Sequence, residues 1–251
     1  MTMKKLVTAI SITLALFNPA FGSSTPENLR IAISDGYPPF SSVNSAGELE
    51  GFDVDIARAL CSHLNTNCEI IRYEWQQMIP GLRAGKFDAI VSSMSITDKR
   101  KELVLFTNRY YSNVVRFLAR RNSGFDDTRI AGKTIGVAPG TVSSDWLDEN
   151  LKDIATIHYI EGQDESYKAL AEGRIDALFG DGLGFFEWLE SPQGAAFEFI
   201  GNSYRLDEGI GIAVRKHDDE LRKHLNSAID AILRNGVYRE INARYFPFSI
   251  Y

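Results

Sequence analysis

Leu82-Arg83-Ala84-Gly85-Lys86-Phe87-Asp88-Ala89-Ile90 recurs as Leu170-Ala171-Glu172-Gly173-Arg174-Ile175-Asp176-Ala177-Leu178, at a constant offset of 88 positions. Each copy reads as a helix end, a glycine stop and an apolar strand. The echo is either a repeated unit or a common answer to one packing problem; both place a β-α-β series in each half of the chain. In the first half the apolar periodicity predicts strands at 29–33, 69–73 and 88–91 and helices at 52–64 and 75–84, with Pro80 moving the start of the second helix toward Met78. In the second half it predicts strands at 134–138, 156–160 and 175–179 and helices at 144–151 and 164–172. Strands at 197–200 and 209–214 follow. A helix comes next, with Leu221, Leu225, Ile229 and Leu233 spaced by four and Gly236 as its stop, and then a shorter helix at 238–245. Alternation of this kind predicts an α/β chain of two lobes, each a mostly parallel sheet flanked by helices.

The composition agrees. The 251 residues are 44% hydrophobic and 24% charged, which excludes disorder, collagen and coiled coil. Lys and Arg number 27 against 33 Asp and Glu, for a net charge of −6, with no basic block to follow a phosphate backbone, so nucleic acid is excluded as a partner. Residues 1–5 are a short basic start, 6–17 an apolar run, and Ala20-Phe21-Gly22 offers the small residues of an export cleavage site. Residues 1–22 are therefore expected to be a cleaved signal peptide, the run being too short for a membrane anchor. Cys61 and Cys68, too far apart for a C-x-x-C motif, are then expected to pair as a disulfide in an oxidising compartment. His63, His158, His217 and His224 are scattered, so neither a metal nor a cofactor is expected.

In open α/β sheets ligands bind beyond the carboxyl ends of strands. That rule points to Tyr37 after the first strand, Trp75 after the second, and, beyond the two echo strands, Ser92 and Ser93 in one half and Asp181 in the other. Gly140-Thr141-Val142-Ser143-Ser144 follows a strand and opens a helix, which makes it either an anion site or a plain N-cap. Arg100, just past a Thr97 cap, either grips a carboxylate or is a solvated surface charge. Asp181 is either a turn residue or a counter-ion for a cation. Tyr37 and Trp75 are either core or a clamp for a planar or apolar ligand group. Glu187 stands where the last glycine of G-x-G-x-x-G belongs, which rejects a dinucleotide turn at Gly182. No nucleophile, base and oxyanion hole come together, so the chain is not expected to be an enzyme; the inventory fits a zwitterion with a side chain.

These residues also carry a family resemblance. Gly36-Tyr37-Pro38-Pro39-Phe40, Gly51-Phe52-Asp53-Val54-Asp55, Gly85-Lys86-Phe87-Asp88-Ala89-Ile90, Ser92-Ser93-Met94-Ser95-Ile96-Thr97-Asp98-Lys99-Arg100, Gly173-Arg174-Ile175-Asp176-Ala177 and Arg234-Asn235-Gly236-Val237-Tyr238 resemble the periplasmic solute-binding proteins (family 3) of ABC importers for polar amino acids. The likeness covers 29–251 and points to the lysine/arginine/ornithine and histidine binders, whose cysteine pair it shares. The resemblance implies a type II periplasmic binding protein with lobe 1 at 24–111 plus 207–251, lobe 2 at 115–204, and a two-strand hinge at about 112–114 and 205–206. It implies a monomer that delivers an L-amino acid to an inner-membrane ABC permease.

By the same resemblance Arg100 would hold the α-carboxylate with Ser95, Thr141 and Ser143, while Asp181 and Ser93 would hold the α-ammonium. Tyr37 and Trp75 would sandwich the side chain, with Ser92 and Ser34 near its far end. The family's basic binders usually carry an acid at the position of Ser34; here the acid stands one residue on, at Asp35. Val142 and Ala138 replace a common Thr and Leu. The rival functions are a periplasmic cyclohexadienyl or arogenate dehydratase on the same fold, with Asp181 or Asp35 as the acid, and a ligand-sensing subunit for a membrane receptor.

Overall fold

The computed structural model describes residues 27–251; the signal peptide reading at 1–22 and the first residues of lobe 1 lie outside them. The chain starts with β1 (Asn28–Ile33), a small hairpin of β2 (Ser42–Val43) and β3 (Leu49–Glu50), α1 (Phe52–Leu64), β4 (Asn67–Arg72), α2 (Met78–Arg83), β5 (Ala89–Ile90), α3 (Asp98–Lys101) and β6 (Leu105–Tyr111). It continues through β7 (Val115–Arg120), β8 (Thr134–Val137), α4 (Val142–Asn150), β9 (Thr156–Tyr159), α5 (Gln163–Ala171), β10 (Ala177–Asp181), α6 (Gly182–Leu189) and β11 (Phe197–Tyr204), then returns by β12 (Ile210–Val214), α7 (Asp219–Asn235) and α8 (Val237–Tyr245).

The strands form two five-stranded sheets, ordered β4-β1-β5-β12-β6 and β9-β8-β10-β7-β11. In the first, β12 alone runs against its neighbours β5 and β6; in the second, β7 alone runs against β10 and β11. Four strands of five thus share a direction in each sheet, so the expectation of mostly parallel lobes is met. The reversed strand in each is one of the strands that follow a passage between lobes. The chain passes between the sheets twice, from β6 to β7 and from β11 to β12.

The sequence echo has a structural counterpart. Gly85 and Gly173 take φ values of 73° and 71°, the left-handed region that glycine enters at no steric cost. The amides of Lys86 and Arg174 bond back to Gly81 and Ala169, and those of Asp88 and Asp176 bond Arg30 of β1 and Thr134 of β8, each at 2.8 Å. The carboxylate of Asp88 meets Arg30, that of Asp176 meets Lys133. Leu82 and Leu170 fill equivalent places under their sheets, each burial worth about 1.5–3 kcal/mol.

Apolar side chains cover both faces of both sheets. Ile31, Phe52, Leu225 and Ile229 pack on one face of the first sheet, Ala32, Met78 and Ile90 on the other. Val137, Leu147 and Phe179 pack on one face of the second, Leu118, Leu178 and Phe185 on the other. Cys61 of α1 and Cys68 of β4 form the expected disulfide, with 6.1 Å between Cα atoms.

Three local expectations are corrected. The third strand of the second lobe begins at Ala177, not at 175, because ladder pairing with β8 starts there. Asp181 is not a turn residue: β10 runs to Asp181 and α6 starts at Gly182. Helix α4 begins at Val142, ahead of 144, because Thr141 and Ser144 form a reciprocal capping box.

Candidate functional site

The carboxyl ends of β1, β4, β5, β8, β9 and β10 converge on one cavity of about 530 Å³ between the sheets, a size suited to a small ligand. All eleven residues singled out from the sequence line it: Ser34, Asp35, Tyr37, Trp75, Ser92, Ser93, Ser95 and Arg100 from the first sheet's side, Thr141, Ser143 and Asp181 from the second.

Arg100 is placed by α3, whose Thr97 cap accepts from the Arg100 amide. Its guanidinium donates to the Ser95 carbonyl at 3.0 Å and, across the cleft, to the Gly140 carbonyl at 3.2 Å. It lies 5.4 Å from the centre of the Trp75 ring. Burial pulls its pKa down, opposed by Asp145, Asp181 and Asp207, yet a guanidinium stays charged at any physiological pH. Beside it, Trp75 Nε1 also donates to the Gly140 carbonyl, and the free first-turn amides of α4 begin just beyond. Guanidinium and helix start are the groups of this wall that attract an anion, while the Thr141 hydroxyl donates to the Ala138 carbonyl at 2.8 Å and accepts from the Ser144 amide.

On the opposite wall Asp181 accepts a hydrogen bond from the Tyr37 hydroxyl at 2.8 Å. Burial lifts its carboxyl to about 6, with the Tyr37 bond pulling the other way and Asp207 adding to the rise. The approach is close because of Gly184, where a Cβ would lie 2.6 Å from the Tyr37 oxygen. Burial and the Asp181 charge hold the Tyr37 phenol well above its usual value, so it stays a donor.

One expectation changes. Asp35 is in ion pair with Arg72 at the end of β4, 2.5 Å away, so it is not an unneutralised counter-ion. The hydroxyl of Ser93, which lines the cavity, donates to the buried Asp53 at 2.8 Å, and this leaves its oxygen lone pairs as acceptors. Ser34 and Ser92 hydrogen-bond each other at 2.7 Å, fixing the floor near the first strand.

The sequence reading missed Glu74, Gln76, Glu161, Gln163 and Ser166, which also line the cavity. Glu161 accepts from Gln76 across the cleft at 3.1 Å, and Gln163 donates to the Gly184 carbonyl while its own carbonyl oxygen is buried without a partner. The strand-end rule, extended past the strand at 156–160, would have found Glu161 and Gln163. Among the described residues the acidic and basic lining groups are four carboxylates, Asp35, Glu74, Glu161 and Asp181, and one guanidinium, that of Arg100. Among the described residues no group of His, Cys, Asp and Glu could hold a metal.

The sequence profile of bacterial extracellular solute-binding proteins, family 3, matches residues 29–248. The histidine-binding periplasmic protein of Escherichia coli K12 is 39% identical over 99% of both chains, and the L-arginine-binding protein of Pseudomonas aeruginosa is 37% identical over the same shares. An ancestral arginine-binding protein solved with arginine superposes with a TM-score of 0.81 at 28% identity, over 88% of this chain and 98% of its own. The chain belongs to the bacterial extracellular solute-binding proteins of family 3.

Proposed function

We propose that this chain is an exported, periplasmic binding protein for an L-amino acid with a cationic side chain, namely arginine, lysine, ornithine or histidine, which it delivers to an inner-membrane ABC permease. The observation that carries the reading is the charge of the cleft: with Asp35 paired to Arg72, the carboxylates Glu74, Glu161 and Asp181 face one guanidinium. A zwitterion adds no net charge, whereas a cationic side chain offsets part of that excess in a site where unmatched charge is costly. Arg100 and the start of α4 take the α-carboxylate, Asp181 takes the α-ammonium, and Tyr37 and Trp75 flank the side chain. With Asp35 held by Arg72, the carboxylates left for the side-chain cation are Glu161 and Glu74. The names and full-length similarity of the histidine and arginine binders support the same ligand class.

The chain binds as a monomer of two lobes, at 27–111 plus 207–251 and 115–204 within the described residues, and closes by rotation at the passages 112–114 and 205–206. It binds and does not transform its ligand. The export reading rests on residues 1–22. A thermal-shift panel on ligand-stripped protein tests the function, with the twenty amino acids, ornithine, citrulline, prephenate and arogenate. A ligand at a hundred times its Kd should stabilise by about 2.7 kcal/mol. Shifts with basic amino acids above all others are expected. Shifts only with neutral ones would overturn the cationic class, and turnover of prephenate or arogenate would overturn binding as the function.

A further inference from the structure

Asp53 does not line the cleft, and it is fully buried in the first turn of α1. Its carboxylate has no cationic partner. Oδ2 accepts from the Ser93 hydroxyl at 2.8 Å and Oδ1 from the Tyr110 hydroxyl at 2.7 Å. The Tyr110 oxygen in turn accepts from the Ser93 amide at 3.2 Å, closing a ring of three residues. The other ionisable groups that sense this carboxylate are phenols, Tyr111 of β6 and Tyr238 of α8.

Ser93, the object of both bonds, has φ 48°, a left-handed conformation that a non-glycine residue enters at a steric cost. Its neighbours carry the cleft floor: Ser92 bonds Ser34, and the Ser95 carbonyl takes Arg100. Met94 and Ile96 are tied through their backbones to Gly211 and Gly209, in and beside β12. A buried carboxylate that serves only two hydroxyls is expensive, and what it secures is the shape of this turn.

Resting on the amino-acid-binding reading, we infer that Asp53 is a positioning residue for the cleft, which acts through Ser93 and Tyr110 to hold residues 92–95 in the conformation that receives the ligand. The ionised carboxylate accepts from two hydroxyls at once; protonated, it must turn one oxygen into a donor and give up part of that ring. Burial, partly countered by these bonds, puts its titration at about pH 7. Ligand affinity therefore falls as pH drops through 7, ahead of the loss at Asp181.

The test is calorimetric titration of the purified protein with arginine from pH 5.5 to 8.5, for wild type, Asp53→Asn, Ser93→Ala and the double variant Asp53→Asn with Ser93→Gly, alongside thermal unfolding. Asp53→Asn should weaken binding by about tenfold at pH 8 and flatten the profile around pH 7, and Ser93→Ala should lose a similar factor. Glycine adopts the left-handed turn without help, so the double variant should regain most of the affinity. Wild-type affinity in a folded Asp53→Asn, or no recovery in the double variant, overturns the inference. Should Asp53→Asn fail to fold, Ser93→Ala decides, and unchanged binding by it overturns the inference. Hydrogen exchange at the Ser93–Ser95 amides without ligand separates the two readings. Exchange about tenfold faster in Asp53→Asn than in wild type upholds the held turn even where arginine does not bind, and equal exchange overturns it.

Discussion

The two sheets have one strand order and one reversed strand apiece, yet they bring different chemistry to the cavity between them. The first sheet's side supplies Tyr37 and Trp75, the serines at 34, 92, 93 and 95, and, among the described lining residues, the only cation, Arg100. The second supplies a helix start, a glycine-rich approach and the deepest carboxylate, Asp181. A shared backbone plan places the strand ends. The residues just past them, free of ladder pairing, set what each side can bind. The lobes also differ in how they are braced: the first carries the disulfide from α1 to β4 and the added cover of α7 and α8, while α4 of the second is only 9 residues long against 13 in α1.

The sharpest way to break this contrast is to remove the one cation. Arg100→Ala should cost about 3 kcal/mol or more in amino-acid binding by calorimetry, with little change in thermal stability, because it leaves a ligand carboxylate unmatched in the cleft. Next in size is a test of the bracing. Replacing Cys61 and Cys68 by serine should lower unfolding stability by about 2–3 kcal/mol in chemical denaturation, since the bridge closes a short loop, and leave ligand affinity unchanged.

Asp181 sharpens the second lobe's part. Its carboxyl titrates at about 6, and an ammonium favours the ionised form, so its own share of the affinity should be complete above pH 7 and be lost as pH drops through 6, below the step set by Asp53. In Asp181→Asn that dependence should vanish from the titrations along with about 2 kcal/mol of binding at pH 7.5. Glu161→Gln should reduce the preference for arginine over citrulline by about tenfold, and Asp35→Asn by less, because Arg72 already neutralises Asp35. The smallest effect belongs to the ion pair of Lys99 and Asp145, which spans the lobes at 2.9 Å with 76% and 46% of its side chains exposed. Lys99→Ala should change affinity by under about 1 kcal/mol, and by less still in high salt.

Much of this plan was legible from local pattern. A spacing of four marks α1 and α7, and a single glycine stop followed by an apolar run marks the units at 82–90 and 170–178. Strand ends place Tyr37, Trp75, Ser92, Ser93 and Asp181 in the cavity, helix starts place Arg100, Thr141 and Ser143, and the family resemblance alone points to Ser34, Asp35 and Ser95. What local pattern missed has one cause. The crossing strands β6 and β7 have no alternation that distinguishes them from the loops around them, and the reversed direction of β7 and β12 depends on where the chain goes between lobes.

The sequence by itself determined the β-α alternation, the repeat and the places where a ligand site could be, because periodicities of two and near four residues are local properties of a chain. Tertiary structure alone decided which of those groups remain available. Tyr37 meets Asp181 across 144 positions, Asp35 is neutralised by an arginine at the end of the next strand, and Ser93 is turned onto Asp53, 40 positions away. Strand order sets those partnerships, and it is written in no single segment, since each pairing is chosen by the packing of the whole core against every alternative.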